Sequence, residues 1–218
     1  MISVLLVDDD VIVRTGVRMI LEVESDIEVV GEAGSGREAV DLVARLRPDV
    51  VLMDIEMPDV GGIEACKAIA ASNAGANVVM LTTFQTDQYL FDSLKAGASG
   101  FLLKRSPPDE LLNAVRVVAA GEGLVASSVT VRLIDEFARR SPANGNDRGR
   151  LELLTEREVE VLGLVGRGYN NREIAETTHM SESTAKTHLK RILMKLGLRD
   201  RVAAVVFAHE TGIVHAPG

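Results

Sequence analysis

Five short apolar runs, each followed by an amphipathic stretch, fill the first 120 residues, and no other feature limits the fold so sharply. The runs are Val4–Val7, Ile27–Val30, Val50–Met53, Val78–Leu81 and Phe101–Leu103. The stretches that follow them, 11–22, 35–46, 62–71, 86–96 and 108–120, carry apolar residues at helical spacing. A strand that reads as a continuous apolar run is covered on both faces, which is the situation in a parallel sheet flanked by helices. Five such strand–helix units predict an α/β domain with a five-stranded, doubly wound parallel sheet.

The pattern then changes. Residues 127–140 predict one more helix, with Val131, Ile134 and Ala138 on one side. The next ten residues, SPANGNDRGR at 141–150, are polar, contain Pro142, Gly145 and Gly149, and read as linker. Beyond Leu151 the pattern is purely helical. Thr155 with Glu158 fits a capping box, with Gly168 as the stop. Asn170 with Glu173 fits a second cap, Ser181 a third for a helix ending at Leu196 before Gly197, and a fourth helix covers 200–211. The expected organisation is a first domain over 1–122, a linker with a helix in it over 123–150, and a small all-α domain over 151–218.

Charge divides along the same lines. Residues 1–125 hold 20 acids and 10 bases, residues 126–150 hold 3 and 5, and residues 151–218 hold 9 and 9; the partial charges of −10, +2 and 0 give the chain's −8. The acidic first half repels nucleic acid, so any DNA contact is expected in the second half. No window approaches the roughly 18 apolar residues of a membrane span, so no membrane association is expected. The N-terminus lacks the basic stretch of a signal peptide. A single cysteine, Cys66, excludes an internal disulfide and suits a reducing cytoplasm. One helical turn after Ile63, it reads as a small core residue.

Ligands of open parallel sheets bind at the carboxyl ends of the strands. Asp8, Asp9 and Asp10 follow the first run, Asp54 the third, Thr82 the fourth and Lys104 the fifth. Acids at strand ends are often only solvated caps, and for Asp9 alone that reading is preferred. The set as a whole says more. Clustered carboxylates repel unless a cation sits among them, and Mg²⁺ takes a few carboxylate oxygens together with water and phosphate oxygens. A hydroxyl and an ammonium can hold the other oxygens of a phosphoryl group. Asp54, central in the sheet, is the natural nucleophile, since carboxylates form aspartyl phosphates.

The segments VLLVDDD, DIEMPDVGG, LTTF and GASGFLLK resemble the receiver domain of two-component response regulators over residues 1–120. The resemblance implies a flavodoxin-like receiver phosphorylated on Asp54 by a sensor histidine kinase. It implies Mg²⁺ on Asp8, Asp9, Asp54 and the backbone carbonyl of Glu56, with Thr82 and Lys104 on the phosphoryl oxygens. Thr82 and Phe101 would form the switch. Phe101 stands where the family usually has Tyr, so this aromatic brings no hydroxyl. Gly61 stands where Asp is common, and Asp10 where His is common.

In the second half, helix 171–177, a short turn and helix 182–196 have helix-turn-helix spacing. Ala185, Leu189, Ile192 and Leu196 share one face of the last helix, and Lys186, Thr187, Lys190, Arg191 and Met194 share the other. Three bases without an acid could be a solvated face, or could meet phosphates and base edges in a major groove. The segment from LTEREVEVLGLVGRG to KTHLKRILMKLGL resembles the LuxR-type helix-turn-helix. That resemblance implies double-stranded DNA as partner, read through Lys186, Thr187, Lys190 and Arg191, and a homodimer on phosphorylation, with RNA polymerase as a further candidate partner. Helix 200–211, with Val202, Val205, Val206 and Ala208, matches the element that dimerises in this family, and packing within its own domain is the alternative for some of those residues. Receiver plus LuxR-type output is the NarL/FixJ arrangement, a transcription regulator rather than an enzyme. A haloacid-dehalogenase-like phosphatase also uses an Asp nucleophile, but normally has a second Asp where this chain has Glu56.

Overall fold

The structure, a computed structural model, describes residues 1–72, 75–83, 87–121 and 148–214. The chain separates into two compact units that divide between Leu124 and Val125. The first contains strands β1 (Ile2–Val7), β2 (Ile27–Ala33), β3 (Val50–Asp54), β4 (Asn77–Thr82) and β5 (Gly100–Leu103). Helices α1 (Val11–Leu21), α2 (Gly36–Leu46), α3 (Gly62–Ala71), α4 (Asp87–Ala96) and α5 (Pro108–Ala119) alternate with them. The strands are parallel, in the order β2-β1-β3-β4-β5. This is the doubly wound fold expected.

The apolar runs explain the layers. Successive strand side chains point to opposite faces. Leu5, Val7, Val51, Met53 and Met80 therefore pack on one side against Ala39, Val43, Ala65 and Cys66 of α2 and α3. Val4, Leu6, Val50, Leu52 and Val79 pack on the other against Leu21 of α1 and Leu111 and Val115 of α5. Cys66 is buried, as its helical position predicts. The order reverses at β1, which has β2 on one side and β3 on the other, so the carboxyl ends of β1 and β3 border the ligand crevice of this topology.

Close packing at that crevice demands one glycine. A β-carbon on Gly62, the first residue of α3, would lie 1.8 Å from the carbonyl oxygen of Asp54. Gly62→Ala is therefore expected to displace the end of β3 and cost roughly 1–3 kcal/mol. Thermal denaturation checks this; an unchanged melting temperature would show that the strand end yields freely.

The second unit holds a 3₁₀ turn (Arg148–Leu153) and helices α6 (Glu156–Gly166), α7 (Asn171–Thr178), α8 (Glu182–Leu196) and α9 (Arg201–Glu210). Thr155 and Asn170 form the two expected capping boxes, and Ser181 and Asp200 cap α8 and α9. Gly197 closes α8 in the left-handed region, at φ 59°. Val161, Leu162, Ile174, Leu189, Ile192 and Phe207 meet in one core.

Gly168 is the stop expected: α6 ends at Gly166 with Arg167 as its cap, and Gly168 follows in the left-handed region at φ 87°. One boundary differs from expectation. The tail of the expected linker is structured: Arg150 donates to the carbonyl of Leu196 and lies 4.8 Å over the Phe207 ring. Those contacts are remote in sequence, so local composition could not reveal them. The predicted helix 127–140 and the linker up to residue 147 lie outside the described residues. Among the described residues, no helix is long and apolar enough to cross a membrane.

Candidate functional site

The crevice at the carboxyl ends of β1 and β3 is built by main-chain ties. The Asp8 N–H donates to the carbonyl of Ala33 (3.2 Å), which joins the ends of β1 and β2. The Asp8 carbonyl accepts from Nη1 of Arg14 at 2.5 Å, and Arg14 Nε donates to Glu32 at 3.0 Å. Asp54 ends β3, where its Oδ1 accepts from the N–H of Ile55 (2.9 Å). Lys104 follows β5, and its N–H donates to the carbonyl of Thr82 (2.8 Å).

Asp8, Asp54 and Lys104 converge. The Lys104 ammonium lies 2.6 Å from Asp8 Oδ2 and 3.0 Å from Asp54 Oδ2. Asp8, Asp54 and Thr82 are 3%, 4% and 1% exposed, so two carboxylates and a hydroxyl-bearing side chain are withdrawn from water together. Asp9 is exposed, yet one carboxylate oxygen from each of Asp8, Asp9 and Asp54 lies within 4.8 Å of the other two. Burial pushes the Asp54 carboxyl above the usual carboxylate range, while the Lys104 hydrogen bond pulls it back down. Burial disfavours the Lys104 charge, but its hydrogen bonds to Asp8 and Asp54 outweigh this and raise its pKa, so it remains an ammonium.

Chemically, the pocket offers a buried carboxylate, a fixed cation and an all-oxygen donor set. Such a set fits a hard divalent cation such as Mg²⁺ rather than a soft metal. Phe101, Met57 and Tyr89 are each partly buried against the core on the α2–α3 side of the sheet. The Glu56 side chain accepts a hydrogen bond from the Tyr89 hydroxyl at 2.9 Å. Arg14, Glu32 and Tyr89 escaped the sequence reading. The spacing of Arg14 and Arg18 on α1, one turn apart, was a usable signal, but their shared partner Glu32 lies on β2 and is found only from the topology.

The second candidate lies on α8. Ala185, Leu189, Ile192 and Leu196 are buried, and Lys186, Thr187, Lys190, Arg191 and Met194 are exposed, as the periodicity predicts. The Thr187 hydroxyl donates to the carbonyl of Ser183 (2.8 Å). Lys195, though exposed, is paired: its ammonium lies 2.6 Å from Glu158, which is 3% exposed at the start of α6. Burial disfavours the Glu158 carboxylate, but Lys195 and the Thr155 amide overcome that and lower its pKa. Helices α7 and α8 meet through the short turn at His179 and Met180, which gives helix-turn-helix geometry.

The fourth helix packs largely within its own unit. Val202, Val205 and Ala208 are buried within their own unit, and of the four residues singled out only Val206 keeps partial exposure. Their apolar side chains face the core because α9 packs along α6; Gly166 leaves room for Ala208, whose β-carbon would lie 2.7 Å from a β-carbon added there.

Residues 4–116 match the model of the response regulator receiver domain, and residues 152–208 that of the luxR family of bacterial regulatory proteins. The chain is 42% identical to the transcriptional regulatory protein YxjL of Bacillus subtilis over 214 residues, covering 98% of this chain and 97% of the relative. Among solved structures it is similar to the response regulator ChrA of a heme-sensing two-component system, at 35% identity, 98% of each chain and a TM-score of 0.53. It is also similar to the response regulator RcsB in a complex with DNA, at 25% identity, 96% of this chain, 98% of that chain and a TM-score of 0.55.

Proposed function

This chain belongs to the response regulators that join a receiver domain to a luxR-family DNA-binding domain, a two-component regulator rather than an enzyme, and from that premise we propose that phosphorylation of Asp54 controls its binding to promoter DNA. The observation that carries the proposal is the buried contact of one ammonium, Lys104, with both Asp8 and Asp54.

An Asp54 oxygen attacks the phosphorus of a phosphohistidine on the partner kinase. The new P–O bond forms as the P–N bond breaks, and the histidine leaves. Lys104 holds a phosphoryl oxygen, and the Thr82 hydroxyl takes another. Asp8, Asp9, Asp54 and the Glu56 carbonyl would hold Mg²⁺, which would supply charge neutralisation to the phosphoryl oxygens. The group brings roughly −1.5 to −2 charge to a rim that already holds carboxylates. Thr82 is drawn toward it and Phe101 repacks, which shifts the population between two arrangements of the receiver surface near α4 and α5. In the second domain, Lys186, Thr187, Lys190 and Arg191 enter the major groove from α8. The RcsB–DNA complex supports this docking by similarity.

The shift is expected to favour a homodimer, with a coupling of about 1–3 kcal/mol. Sedimentation of the full chain with and without a phosphoryl mimic checks it. A concentration-dependent move to the dimer in the loaded state alone is the expected result, and identical self-association in both states contradicts the switch.

A further inference from the structure

Two partly buried aromatic side chains of the receiver pack against the same core cluster, Phe101 and Tyr89. Phe101 has no hydroxyl to report on the pocket. Tyr89 has one, and it is spent on Glu56, two residues beyond Asp54, at 2.9 Å. The chain contains two tyrosines, and Tyr169 lies in the other unit, so Tyr89 is the one phenol of the receiver.

Helix α4, which carries Tyr89, has one unsatisfied group in its packing. Ser93 lies one turn further along the same side, fully buried, and its hydroxyl finds no partner among the described residues. A buried hydroxyl left without a partner costs stability. An arrangement of α4 that satisfied it would be favoured on that account. The Tyr89–Glu56 bond therefore joins the loop beside the nucleophile to a helix whose present packing is incompletely satisfied.

We infer that Tyr89 is a positioning residue: its hydroxyl tethers α4 to the Glu56 loop, so that cation and phosphoryl occupancy of the pocket and the arrangement of α4 are coupled. The inference rests on the reading of the pocket given above. When the pocket fills, the loop adjusts around the Glu56 main chain and the tether passes that adjustment to α4. By linkage, loosening α4 must in turn change the affinity of the pocket for its cation.

The test uses the full chain as wild type, Tyr89→Phe, Glu56→Ala and Glu56→Gln. Hydrogen exchange of the α4 amides is followed first without ligand. Mg²⁺ is then titrated in the presence of beryllofluoride. Tyr89→Phe is expected to speed α4 exchange about five-fold, as the loss of one hydrogen bond allows. It is also expected to shift the Mg²⁺ dissociation constant by about five-fold. Glu56→Ala should match its α4 exchange from the other end of the tether. Glu56→Gln keeps an acceptor for the phenol and should leave α4 exchange near wild type. Unchanged α4 exchange in both Tyr89→Phe and Glu56→Ala overturns the tether. Faster exchange with an unchanged Mg²⁺ constant in Tyr89→Phe overturns the coupling. A wild type that binds no Mg²⁺ defeats the reading of the pocket and the inference together, and is seen before any variant is compared.

Discussion

The Asp54→Asn protein is expected to take up no phosphoryl group from acetyl phosphate and Mg²⁺, where the wild type takes up one. A neutral amide is a far weaker nucleophile than a carboxylate, and the loss should be complete within detection. The geometry singles out this position. Asp54 ends the strand at the centre of the sheet, between β1 and β4, and is nearly fully buried beside Lys104. Asp8 has similar contacts, its Oδ1 with the Asp10 N–H at 3.0 Å and its Oδ2 with Lys104 at 2.6 Å, but it follows β1 rather than the central strand. Asp9 is exposed. Mass spectrometry of the intact protein reads the outcome. An Asp54→Asn protein still labelled on another carboxylate would transfer the role to that residue.

The second large effect is expected on α8. Lys186 and Lys190 are one turn apart on its exposed face, which places both to reach one groove wall. Lys190→Ala should weaken binding to all sequences alike and reduce the slope of log affinity against log salt by about one, the mark of a lost phosphate contact. Lys186→Ala should cost about 1–3 kcal/mol on the preferred site and blur one base position, the mark of a lost guanine contact. The fragment 148–218 is the proper object, because the 3₁₀ turn at its start carries Arg150 to the end of α8. Binding is measured against salt for the wild type and both variants. Unchanged affinity in both would make this face a solvated surface.

Physical reasons decide which parts of the molecule could be read from the chain. The central strands were legible because a strand covered on both faces is a continuous apolar run, as in Val50–Met53. β2 was read three residues short, since Gly31-Glu32-Ala33 breaks the run on a half-exposed edge strand. The exposed face of α8 followed from helical periodicity alone. Its pairing partner was hidden: Lys195 reaches Glu158, 37 positions away, and no local pattern encodes that distance. The pocket shows the same division. Residue type and strand end pointed to Asp8, Asp54, Thr82 and Lys104, but that Lys104 bridges two carboxylates, or that Tyr89 holds Glu56, depends on where α4 and β5 settle.

The central claim is that the state of Asp54 governs occupancy of DNA. Genome-wide DNA occupancy, compared between cells carrying the wild type and cells carrying Asp54→Asn at equal protein levels, tests it most directly. The expected result is a set of promoter sites occupied by the wild type and lost in the variant, while the variant protein remains folded. The same sites occupied to the same extent by both proteins would contradict it.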